Sequence, residues 1–154
     1  MFTEMLDKQA DEIERPPLLP AGVYVARVAA HPIIDAESND NWEYLDFPLV
    51  IVAADEVDET DLEEYGNVVG ARVRHRFMST KDASDAAAQQ RAAFNVRNFL
   101  ENTLQCMSAT DDIRTGLANA VEKEVMIELV HTPSKKPGEE DVFFVNINKV
   151  WAIA

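Results

Sequence analysis

Cysteine is almost absent from this chain. The single Cys106 excludes an internal disulfide, and none of the paired Cys and His spacings of structural zinc sites occurs. Apolar burial must therefore hold the core. Histidine is equally thin: His31, His75 and His131 stand apart from one another. There is no phosphate-cradling glycine loop, nucleophile elbow or metal-binding His motif. The acidic run DEVDETDLEE lacks the glycine and the ligand spacing of a calcium loop and reads as a solvated face. No apolar run approaches the roughly 18 residues that a transmembrane span requires. The first fifteen residues, MFTEMLDKQADEIER, carry five acids and no basic n-region, so no signal peptide is expected. These absences predict a protein without cofactor, metal or enzymatic activity, at home in a reducing cytoplasm.

Positive charge is also short. The 154 residues carry 14 Lys and Arg against 28 Asp and Glu, a net charge of −14, and a field of that sign repels phosphate at long range. Its distribution matters more than its sum. The segment from Asp35 to Glu64 holds twelve of the acids and no base, so the remainder is close to neutral. From Arg72 to Arg97 bases outnumber acids, and over about a Debye length, 8–10 Å, such a region acts on its own.

The residues Val69–Met78 alternate strictly. Val69, Ala71, Val73, His75 and Phe77 belong on one face of a strand and Arg72, Arg74, Arg76 and Met78 on the other. The first face predicts a core position, with His75 as a satisfied buried histidine. The second sets three guanidinium groups about 7 Å apart, either paired with nearby acids or forming an anion-binding stripe.

Around this strand the chain orders itself. Phe2, Met5, Leu6, Ala10 and Ile13 form the stripe of an amphipathic helical arm over residues 1–17, ended by Pro16 and Pro17. Such a helix is marginal alone, so the stripe of Phe2, Met5, Leu6 and Ile13 is expected to dock on its own domain, on another subunit or on a partner. One domain spans residues 18–154. Its first strand is Val23 to Ala30, followed by a polar loop, IIDAESNDN. A second runs from Trp42 to Val52 with Leu45, Phe47, Leu49 and Ile51 inward, and its Pro48 suggests an edge or a bulge. An acidic connection leads to the arginine strand. A helix capped by Asp82 or Ser84 follows, with Val96, Phe99, Leu100, Leu104 and Met107 on one face, then a short helix capped by Asp111 or Asp112. A fourth strand turns Val125, Ile127 and Leu129 inward. The fifth, Val142 to Ile153, places Phe143, Val145, Ile147 and Trp151 on one side and Phe144, Asn146 and Asn148 on the other.

Five strands with a helix between the third and fourth is the order of the OB-fold, a partly open Greek-key barrel. An open antiparallel sheet with a helix across one face is the alternative; the barrel is preferred because it limits exposed strand edges. The acidic lead, LPAGVY, WEYLDFPLVI, VVGARVRHRF, NVRNFLENTL and FFVNINKVWA together resemble the small OB-fold single-stranded-DNA-binding proteins of bacteriophages, over nearly the whole chain. The flexible acidic C-terminal tail common in that group has no counterpart here, and recruitment through such a tail is not expected.

The resemblance implies a non-catalytic protein that coats single-stranded DNA in replication or recombination in the bacterial host. Binding without sequence preference needs cations along a backbone track and aromatic faces for stacking. Arg72, Arg74 and Arg76 are candidates for the first. Trp42, Tyr44 and Phe144 are candidates for the second, unless they pack under the arm or a helix. Asn146 is a hydrogen-bonding candidate, and Lys135 and Lys136 lie in the loop between strands four and five, either in contact or simply solvated. The other reading is a structural or assembly protein, such as a virion component, that uses the barrel as a scaffold and the arm and acidic face for contacts with its own copies or other phage proteins.

Overall fold

A computed structural model describes residues 1–10 and 16–154. Alternation builds one continuous inner face. Tyr24, Ala26 and Val28 of β1 (Gly22–Val28) are buried, as are Phe47, Leu49 and Ile51 of β3 (Trp42–Glu56) and Val125, Ile127 and Leu129 of β5 (Glu124–Pro133). Each large side chain among them contributes roughly 1.5–3 kcal/mol by leaving water. The sheet is antiparallel throughout, in the order β4 (Arg72–Thr80), β3, β1, β5, β6 (Phe143–Trp151). Among the described residues it has six strands, not five. The expected polar loop after β1 contains β2 (Ile33–Asp35), which pairs with Tyr44–Asp46 of β3.

Pro48 does not mark an edge. β3 is paired on both sides, and the amide of Ala29 donates to the Pro48 carbonyl at 2.9 Å, just past the end of β1. The missing proline N–H points to the same side and so falls where the chain bends between β1 and β2, the place where a ladder bond is least needed. The sheet is not a closed barrel. Its end strands β4 and β6 share no ladder, and the expectation of closure is corrected on that point.

Helices cover the inner face. α2 (Glu59–Tyr65) occupies the acidic connection, with Asp58 accepting from the Asp61 amide. The main helix is α3 (Ala86–Asn98), which runs into a π-helical turn at Phe99–Thr103 that buries Phe99 and Leu100. Its cap is Asp85, not Asp82 or Ser84: Asp82 is already spent on the Ser84 amide and hydroxyl in the preceding turn. α4 (Ile113–Ala120) is capped by Asp112, as the sequence predicts. It approaches closely at Gly116, where a Cβ would stand 2.6 Å from the Met107 sulfur.

β6 departs from simple alternation. Glu128 faces Lys149 while Leu129 faces Ile147, so Asn148 is an extra residue. Val145, Ile147 and Val150 pack on the core, whereas Trp151 lies opposite Met126, away from the side assigned to it. Phe143 is likewise exposed at the start of the strand.

The arm is shorter than its stripe suggests. α1 covers Phe2–Met5, has no side-chain cap and buries no residue; a single turn without packing has little to extend it. Ile13 lies outside the described residues.

Candidate nucleic-acid interface

The three arginines of β4 share a face but not a cross-strand partner. Opposite them on β3 stand Val50 for Arg72, Pro48 for Arg74 and Asp46 for Arg76. Arg76 is held at both ends of its fork, with Nε donating to Asp46 Oδ1 at 2.7 Å and Nη2 to Oδ2 at 2.9 Å. Its guanidinium lies 4.1 Å from the centre of the Tyr44 ring. These bonds raise its pKa further, chiefly through the Asp46 hydrogen bond. Arg74 reaches the same carboxylate only at 3.8 Å and is mostly exposed. Arg72 is exposed and forms no ion pair among the described residues.

Beyond Arg72 and Arg74 opens a cleft of about 700 Å³ between the two free edges of the sheet. β6 supplies Phe143, Phe144 and Asn146, and Tyr65 enters from the last turn of α2. Val73, Leu129, Val145 and Ile147 also line it. The remaining wall is the extended segment Pro16–Leu19, pinned from two directions: Tyr24 donates its hydroxyl to the Pro20 carbonyl at 2.7 Å, and His131 Nε2 donates to the Leu19 carbonyl at 2.8 Å. Burial pushes the Tyr24 hydroxyl up to about 12, so it stays a donor. Among the described residues no carboxylate lines the cleft. Asp61 and Glu64 line a neighbouring smaller cavity that shares Pro17, Leu18 and Tyr65 with the cleft.

Of the residues singled out from the sequence, Arg72, Arg74, Phe144 and Asn146 converge on this cleft. No protein-family model and no curated protein matches the chain. The other candidates lie elsewhere. Trp42 is exposed opposite Thr80, at the far end of the β3–β4 hairpin. Tyr44 carries the Arg76 guanidinium on one ring face. Lys135 and Lys136 are exposed in the β5–β6 turn, on the hairpin that bears Phe143 and Phe144, outside the cleft lining. Asn146 donates through its amide to Thr132 Oγ1, which fixes the side chain over β5.

Tyr65 and Phe143 were not singled out from the sequence. Phe143 adjoins Phe144 at a strand start beside a turn, where alternation is weakest, and that was the available signal. Nothing in the local sequence marks Tyr65, since only folding brings α2 to the sheet edge.

The arrangement is cationic and aromatic. His75, on the inner face, packs against Phe77 and Phe99 with ring centres 4.8 and 4.9 Å away. Burial lowers its pKa to about 4, so it is neutral near pH 7, and it is not part of the cleft lining. Cys106 is buried, and burial raises its thiol pKa. Among the described residues no three acidic, His or Cys side chains converge to hold a metal.

Proposed function

We propose that the protein binds single-stranded DNA in the β4–β6 cleft, as a non-catalytic coating protein of the phage type acting in replication or recombination in the host cytoplasm. One observation carries this reading: in a chain of net charge −14, this cleft gathers two arginines, three aromatic rings and an asparagine, with no acid among the described residues that line it. That is the composition a backbone track with stacking platforms requires. The strand order supports an OB-like architecture opened along the β4–β6 seam, with a single strand taking the place of the missing ladder. The resemblance of the sequence to small phage single-stranded-DNA-binding proteins points the same way.

In this reading Arg72 and Arg74 neutralise phosphates and Phe143, Phe144 and Tyr65 stack bases. Arg76 is structural. The test is a titration of labelled oligo-dT followed by fluorescence anisotropy at several salt concentrations. Replacing Arg72 and Arg74 by Ala removes two phosphate contacts and should flatten the slope of log K against log salt by about 1.4, at about 0.7 per contact. Phe144→Ala should weaken binding by about 1–3 kcal/mol with the slope unchanged. Absence of wild-type binding at low salt would overturn the proposal. The second reading, an assembly or virion protein, is favoured by one specific feature, the exposed apolar arm.

A further inference from the structure

Among the described residues, an apolar groove and an apolar helix both stand uncovered. The first is a groove of about 340 Å³ at the opposite end of β4 from the cleft, between the β2–β3–β4 corner and the helices. Ile34, Tyr44, Met78, Ala93, Ile113 and Leu117 line it, and Ile34, Met78 and Ile113 are exposed. The second is α1 with the residue that follows it: Phe2 and Leu6 are 73% and 75% exposed.

Charge adds one point of match. α3 and α4, which form one bank of the groove, line it with the uncharged Gln89, Ala92, Ala93, Val96, Ile113 and Leu117. The one acid of the groove lining, Glu43, stands on the other bank, where a cation such as Lys8 suits it.

The arm's own groove is within reach. Leu6 is ten residues from Pro16, a tether of at most about 36 Å, and the groove lies about 17 Å along β4 from the cleft wall. Yet α1 stands clear of it, with every residue exposed. One turn of helix does not persist unsupported in water. We infer that the N-terminal helix of one copy of this chain seats Phe2, Met5 and Leu6 in the β2–β3–β4/α3–α4 groove of a second copy. Because arm and groove are different surfaces, the contact is either exchanged reciprocally in a two-fold pair or repeated head to tail along a row of copies.

Sedimentation of the full chain without nucleic acid tests this separately from the binding proposal. The wild type should exceed the mass of one chain, increasingly so as concentration rises. Ile113→Glu in the groove and a Phe2→Asp/Leu6→Asp arm variant should each sediment as single chains, with unchanged circular dichroism and melting. A mixture of Leu6→Cys and Ile113→Cys proteins should form a disulfide-linked pair on oxidation, since the native Cys106 is buried. A wild type that stays a single chain at every concentration overturns the inference. So does a Leu6→Cys/Ile113→Cys double variant that links only within one chain.

Discussion

The two ends of β4 carry the same residue type on the same face and are put to different uses. At one end Arg76 is gripped by Asp46 and stacked on Tyr44. At the other Arg72 is exposed beside an open cleft, opposite a valine. Arg74 lies between them in charge as well as position. The cross-strand neighbour, two or four residues along β3, decides which guanidinium stays free to meet an anion. An arginine row in a sequence is thus a row of opportunities, and the partner strand selects among them.

The largest effect expected here concerns the inner side of the same strand. Burial lowers His75 to about 4 in the folded protein, against 6.5 for a free imidazole. The unfolded chain therefore binds the extra proton between those values. Stability present above pH 6.5 should fall as the pH drops toward 4, by about 2–3 kcal/mol. His75→Phe should remove this dependence, as read from urea midpoints across the range. An unchanged profile would mean that the ring is charged or accessible.

Arg76→Ala leaves Asp46, whose side chain is only 15% exposed, without its bidentate partner, and should cost about 1–2 kcal/mol in a denaturation experiment. Arg72→Ala should fall within about 0.5 kcal/mol of the wild type. Equal losses at the two positions would erase the distinction. The smallest expected effect is the most direct attempt to break it: Asp46→Asn releases Arg76. If the protein binds single strands, the salt slope should steepen by up to about 0.7 relative to the wild type.

Much of the fold could be read locally. The inward sets on β3 and β5, the inward Val73, His75 and Phe77 of β4 and the buried Val96 of α3 follow from periods of two and 3.6, which are properties of a few neighbouring side chains. Val69, expected on the same face of β4, precedes that strand and is exposed. What escaped reading depends on pairing. Ile33–Asp35 is a strand because β3 is long enough to receive it. Asn148 is an extra residue only relative to β5, and its presence reverses Trp151. Asp46 is invisible as the partner of Arg76 until residues thirty apart are set in register. The candidate site was half legible for the same reason: Arg72, Arg74, Phe144 and Asn146 announce themselves by type. Tyr65 and the Pro16–Leu19 wall belong to the cleft only through tertiary contacts.

The central place of β1 has a consequence for how the molecule comes into being. Its pairing with β3 closes a connection of about 20 residues, whereas its pairing with β5 closes about 100, from Arg27 to Glu124. The longer closure costs about 1.4 kcal/mol more in chain entropy. During synthesis β1, β3 and β4 can assemble early, but Tyr24 and Ala26 then wait with one flank of their strand unpaired until Val125–Leu129 is made. At roughly 5–20 residues per second this leaves an exposed strand edge for several seconds on every nascent chain. A substitution that weakens β5 should therefore show first as poor yield at elevated temperature, before it shows in the stability of the protein that does fold.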